Sequence, residues 1–250
     1  MTQDLFRQDA YLRECSAHIT ALTDVGIVLD QTVFYPLGGG QAGDSGVLVL
    51  ADGTQITIAD TRKGKDADGN PTSDIVHVPA PGQEDRVAQL TPGTTVTARI
   101  DWERRHRMMR LHTTSHLLCH VVPQLVNGCS ITPDYARLDF AMTDPLDKEQ
   151  LTAAIATLVA AAHPLTVASI SDEELDANPA LVKSMSVQPP RGTGRIRTIR
   201  IGGEGGAPLI DLQPCGGTHV ANTSEIGGIV VTKIEKKSAT TRRVVLGFAQ

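Results

Sequence analysis

The sequence predicts an α+β fold in two parts: a small antiparallel β-barrel or meander over residues 1–98, then a two-layer α/β domain with a mainly antiparallel sheet over residues 99–250. Three observations predict it. Short apolar runs alternate with turn residues through the first part, a helical pattern begins at Asp101, and strongly alternating segments fill the last fifth of the chain.

The runs VGIVLD, QTVFYP, GVLVL, TQITIAD, DIVHVP and TVTARID have the length and spacing of short strands, and the polar stretch TRKGKDADGNPTSD between two of them reads as an exposed hairpin or loop. Asp101 then caps WERRHRMMRLHTTSHLLCHVV, whose long and apolar residues recur at helical spacing. ARLDFAM follows as a strand. Asp147 and Gln150 have the spacing of a capping box that opens a helix with Leu151, Ile155, Leu158 and Val159 on one face. Ser171 and Glu174 repeat the capping pattern before RIRTIRI, IGGIVVTKIEK and RRVVLGF, each with a strand's alternation.

A chain of 250 residues with 40% hydrophobic and 20% charged residues has the balance of a soluble globular protein, so disorder is excluded. Aromatic residues are only 3%, which leaves the packing to Gly, Ala, Val, Ile and Thr. No apolar stretch is long enough to cross a bilayer, and the start MTQDLFRQDAYLREC lacks an apolar signal core, so a cytoplasmic protein without a membrane partner is expected. Cys15, Cys119, Cys129 and Cys215 are scattered, with no CxxC pair and no disulfide framework. The net charge, 23 − 28 = −5, argues against a protein that coats nucleic acid nonspecifically, while leaving room for a local basic face.

His112 and His116 lie four apart on the expected helix, so their imidazoles project from one face a turn apart. Taken alone, the pair reads more readily as two satisfied core or surface histidines than as two ligands, because four-apart spacing is only a permissive condition. A metalloprotease needs Glu directly after the first histidine, and position 113 is Thr. Cys215 and His219 lie in DLQPCGGTHV, where two glycines let the chain turn tightly enough for a thiolate and an imidazole to converge; the bland alternative is a glycine turn beside a buried thiol. Together the two halves form a His/His/Cys/His set suited to zinc, which is far more specific than either half.

HTTSHLL, then ARLDF, then the run from RIRTIRI through DLQPCGGTHVANTSEIGGI to the RRV strand resemble the editing domain of AlaX-type alanyl-tRNA editing proteins, a domain that also occurs within alanyl-tRNA synthetase and has a relative in threonyl-tRNA synthetase. FYPLGGGQAGDSG looks like the glycine-rich motif of the longer AlaX proteins. The resemblance implies a zinc-dependent aminoacyl-tRNA hydrolase that acts in trans on tRNA-Ala mischarged with serine or glycine. It places one Zn2+ per chain at His112, His116, Cys215 and His219. It also favours a place beside the editing site for Gly39, Gly40 and Gln41, which otherwise read as tight barrel turns. This glycine run lacks the Gly-Lys-Ser/Thr ending of a P-loop, so no ATP binding is expected.

Thr113, Thr114 and Ser115 lie between the metal histidines and Asn127 and Ser130 follow the helix, so these groups either line an amino-acid pocket or bond locally to the backbone. Arg104, Arg105 and Arg107 crowd the start of the metal helix, and Arg195 and Arg197 alternate along one strand. They form either a solvated face or a grip on tRNA phosphates. Length and the lack of an activation domain exclude a full synthetase. The rival class is a noncatalytic, zinc-stabilised RNA-binding module, in which a closed four-ligand site serves only the fold.

Overall fold

The structure is a computed structural model that describes residues 1–189, 194–203 and 205–249. The chain divides into two compact units, Met1–His106 and Arg107–Gln250. The division therefore lies inside the helix that follows Asp101.

The first unit contains β1 (Gln3–Asp4), β2 (Glu14–Thr23), β3 (Gly26–Leu29), β4 (Gln31–Thr32), β5 (Gly46–Leu50), β6 (Gln55–Lys65), β7 (Pro71–Pro79), the short helix α1 (Glu84–Val87) and β8 (Thr95–Ile100). Six strands pair antiparallel in the order β2-β3-β7-β6-β5-β8, and β8 pairs back onto β2. Period-two alternation decides which side chains point inward: Ala17 and Ile19 from β2, Ile56 and Ile58 from β6, and Val96, Ala98 and Ile100 from β8 are buried together with Leu29, Leu48, Val33 and Phe34. The polar stretch is a hairpin, since β6 and β7 pair out to Lys65 and Pro71 and Asp66 accepts from the amides of Asp68 and Asn70 at the turn.

QTVFYP departs from expectation. Only Gln31–Thr32 forms a strand, parallel to β1. Its next three residues are buried without a ladder because side chains take their backbone groups: the Tyr35 N–H donates to Asp44 (2.6 Å), the Phe34 N–H to Thr32 Oγ1 (3.0 Å), and the Val33 carbonyl accepts from Arg105 (2.7 Å). β2 is a strand that the sequence reading missed, although outward Ser16, His18 and Thr20 alternate there with inward Ala17 and Ile19. The glycine-rich motif has two parts. Gly39 and Gly40 take left-handed φ of 58° and 85° at a turn, whereas Gly43 and Gly46 lie where a Cβ would come within 2.3 Å of the Thr61 carbonyl and 2.2 Å of the Arg99 carbonyl.

Helix α2 (Trp102–Val121) begins where Asp101 accepts from the Arg104 N–H at 3.1 Å. The second unit adds β9 (Val126–Ile131), β10 (Tyr135–Ala141), α3 (Lys148–Ala160), β11 (Leu165–Ile170), α4 (Asp172–Ala177), β12 (Ile196–Gly202), β13 (Leu209–Pro214), β14 (Ile229–Ser238) and β15 (Thr241–Phe248). They build two antiparallel sheets, β14-β15-β10-β9 and β11-β12-β13. Both sequence-derived caps are present: Asp147 accepts from the Gln150 N–H, and Ser171 and Glu174 bond reciprocally. No helix among the described residues is long and apolar enough to cross a membrane.

Candidate metal centre

Helix periodicity sets His112 and His116 one turn apart on α2, with ring centroids separated by 5.4 Å. The chain leaves β13 through the CGGTH turn, which brings Cys215 and His219 against them. Donor atoms of all four residues lie within 4.8 Å of one another. Cys215 Sγ is 3.5 Å from His112 Nε2 and 3.3 Å from His219 Nε2. A tetrahedral zinc ion with ordinary Zn–S and Zn–N bonds has N···S edges of roughly 3.5 Å, so this spacing and this donor set fit such an ion.

The ligand atoms are held from behind. His219 turns Nδ1 to the Thr113 hydroxyl at 3.2 Å, and that hydroxyl also accepts from the Val220 N–H at 3.3 Å. His116 directs Nδ1 at Asp211 Oδ2 (2.8 Å), which leaves Nε2 for the cluster. Asp211 is buried and also accepts from Lys183 Nζ and from Gln213 Nε2. The turn itself is clamped by Arg197, whose guanidinium donates to the carbonyls of Cys215 (2.6 Å) and Gly217 (3.1 Å).

These contacts set the charge states. Burial alone would raise the Cys215 thiol, but the imidazoles of His112 and His219 beside it hold it well below the ordinary thiol range, so the soft thiolate is favoured. His219 is pushed down to about 3 by burial and by its neighbour His112, and so is a neutral imidazole. Burial opposes charge on both His116 and Asp211, yet their mutual hydrogen bond wins: His116 rises to about 9 and Asp211 falls to about 2, the latter helped by Lys183.

The remaining sequence-derived residues fall in varied places. Thr114 and Ser115 are buried, and their hydroxyls donate to the carbonyls of Arg110 (2.8 Å) and Leu111 (2.9 Å), the local helix bonding that was the alternative reading. Asn127 is exposed on β9 and reaches Thr241 at 3.4 Å. Ser130 pairs opposite Arg137, whereas its neighbour Cys129 pairs opposite buried Leu138, so alternation sends these two side chains to opposite sheet faces. The Gln41 side chain is buried, and its backbone closes the glycine turn on Gly38 in both directions.

One arginine needs correction. Arg105 was grouped with the phosphate-gripping residues, but its side chain is sealed inside the first unit, ion-paired with Asp44 and bonded to the carbonyls of Ala10 and Val33. No phosphate can reach it. Arg104 binds the Gly43 carbonyl. Arg107 bonds the Pro133 carbonyl and lies 4.1 Å over the Phe248 ring, and Arg195 bonds Ser169 on the neighbouring strand. The sequence reading missed Lys183, Asp211 and Gln213, and it did not foresee that Thr113 would brace His219 or that Arg197 would clamp the metal turn. Asp211 and Gln213 had a signal, since a strand over 209–214 puts these alternate residues on one face just before the cysteine.

The class of protein follows from two family comparisons. Residues 196–245 match the threonyl and alanyl tRNA synthetase second additional domain, and residues 7–104 match class II (A) tRNA synthetases. Among individual proteins, the chain is 32% identical to the alanyl-tRNA editing protein AlaX-M of Saccharolobus solfataricus and 31% identical to that of Methanosarcina acetivorans, each match covering 98% of both chains. It is also 34% identical to a quarter of the alanine–tRNA ligase of Metallosphaera sedula, over 94% of its own length. The chain belongs to the AlaX-type family of alanyl-tRNA editing proteins.

Proposed function

We propose that this protein is a trans-editing hydrolase that cleaves the ester joining a wrongly attached serine, or glycine, to tRNA-Ala, with one zinc ion held by His112, His116, Cys215 and His219. The observation that carries the reading is the convergence of three imidazoles and a depressed thiol in a chain similar to AlaX-M proteins from end to end. When bound, zinc would supply positive charge for polarising the ester carbonyl or holding the terminal ribose. We read the ring of six strands as the small β-barrel of the longer AlaX proteins.

The protein's own groups supply selectivity. Alanine fits wherever serine does, so sparing alanyl-tRNA requires polar groups that bond the serine hydroxyl and lose that partner with alanine. Thr114 and Ser115 retain acceptor lone pairs beyond the protons they donate to the helix. Asn127 and Ser130 are further candidates from β9. Gly39 and Gly40 offer backbone at an exposed turn, which Gln41 holds closed. Arg104, Arg107, Arg195 and Arg197 are the candidates for phosphate contact, with Arg197 also fixing the metal turn.

A second reading has one observation in its favour: four protein donors already complete a tetrahedral site, as in zinc centres that serve folding alone. Deacylation of seryl-tRNA-Ala and alanyl-tRNA-Ala, measured side by side, separates the two. Rapid loss of serine with alanine spared supports the editing hydrolase. Equal rates leave a general esterase, and no hydrolysis leaves the binding module.

A further inference from the structure

We propose that Asp211, braced by Lys183, is the positioning residue that fixes the His116 ring for metal binding, so that the segment carrying Lys183 is coupled to the strength of the metal centre. The inference rests on the reading of the four-residue cluster as a metal site and concerns residues outside it.

An imidazole that ligates through one nitrogen is free to rotate or change tautomer unless its other nitrogen is held. His116 is held by a carboxylate 95 residues away in sequence, at 2.8 Å. That carboxylate is itself fully determined. Lys183 Nζ donates to Oδ1 at 2.5 Å, Gln213 Nε2 donates to Oδ2 at 2.8 Å, and the Asp211 side chain has no solvent exposure. A buried aspartate with three donors aimed at it cannot swing away to water, so it fixes the ring plane of His116 and enforces the tautomer with the proton on Nδ1.

Lys183 is anchored at its other end as well. Its carbonyl accepts from the Val126 N–H (2.8 Å), and Met185 donates back to the Val126 carbonyl (2.9 Å), which adds one parallel rung to the edge of β9. The ammonium therefore reaches Asp211 from a backbone position set by the sheet. Any displacement of residues 183–185 from that edge withdraws the cation from Asp211 and loosens the hold on His116.

The test is zinc affinity of the full-length protein, measured by competition with a chromophoric chelator, in wild type, Asp211→Asn, Lys183→Met and Lys183→Arg. Loss of an outer partner of this kind weakens metal binding by about 10- to 100-fold. Asp211→Asn is expected in that range, Lys183→Met several-fold weaker than wild type, and Lys183→Arg near wild type because it keeps the cation. The cobalt-substituted forms of the first two should show shifted ligand-field bands, which a merely structural role would not produce. If Asp211→Asn does not fold, Lys183→Met carries the test. Wild-type affinity and an unshifted cobalt spectrum in Lys183→Met would overturn the inference while leaving the metal site intact. A wild-type protein that takes up no zinc would overturn the metal reading itself.

Discussion

Each unit buries an aspartate against basic partners, and the two burials serve different ends. Asp44 and Arg105 are both fully sealed, and their polar atoms bond to each other and to backbone of the first unit. Asp211 is equally sealed, but its partners His116 and Lys183 keep 7% and 26% of their side-chain surface, and His116 turns its second nitrogen to the donor cluster. The first arrangement is complete within itself and so supports only the fold. The second ends in a ring nitrogen that faces Cys215 within the donor cluster, which is what a binding site requires. The lesson is that charge and burial alone do not mark function; an outward-pointing valence does.

The comparison can be broken at its metal end first. Cys215→Ala removes the soft donor from a site whose type is worth roughly 10–16 kcal/mol of apparent binding energy when zinc fills it. Elemental analysis should show substoichiometric metal, and seryl-tRNA-Ala deacylation should fall by at least about tenfold; full zinc content and full activity would exclude this ligand set. At the closed end, Asp44→Ala strands the buried Arg105 charge and should lower the stability seen in urea unfolding by about 3–5 kcal/mol. Replacing both with apolar residues, Asp44→Leu with Arg105→Met, should recover most of the loss. A drop under about 1 kcal/mol for the single change would mean that the pair does not hold the unit together.

Acid sharpens the contrast from a third side. His77 is buried in the first unit, where Nδ1 donates to the Ile27 carbonyl and Nε2 accepts from the Thr32 hydroxyl. Burial pushes it down to about 4 from 6.5, only partly opposed by the Ile27 carbonyl. The folded state thus refuses a proton that the unfolded chain accepts. Its contribution is present above pH 6.5 and is lost as pH falls from 6.5 towards 4, amounting to about 3 kcal/mol for a shift of this size. His77→Gln should flatten that part of the stability profile; an unchanged acid limb would assign the loss to other groups. The smallest effect is expected at the surface. Arg104→Ala and Arg107→Ala should each reduce the salt slope of tRNA binding by about 1, as expected for one phosphate contact apiece. Slopes that stay fixed would move the RNA contact elsewhere.

These cases also show what the sequence makes legible. His112, His116, Cys215 and His219 could be read because each pair is local: helix spacing governs one and a glycine turn the other. Lys183 could not, because its contact depends on a rung at the edge of β9 that no alternation in the sequence marks, and Asp211 carries a signal only once residues 209–214 are taken as a strand. Arg104 and Arg105 show the same limit within one helical turn. They are the same residue type, side by side, and only the location of Asp44 decides that one reaches a backbone carbonyl near the surface while the other is entombed. Strands β6, β8, β10 and β12 were readable from alternation, whereas the Val33–Tyr35 segment was not, because its amides are satisfied by distant side chains instead of a neighbouring strand.

The close approach at Gly43 and Gly46 changes how the motif around them should be interpreted. Two of its glycines are there because main chain passes where a methyl group would sit, so inheritance of those letters records a steric demand of the fold and would outlast the loss of any chemistry. A distant sequence that keeps this signature is thereby shown to share the scaffold, and its catalytic competence has to be judged at the histidines and the cysteine instead.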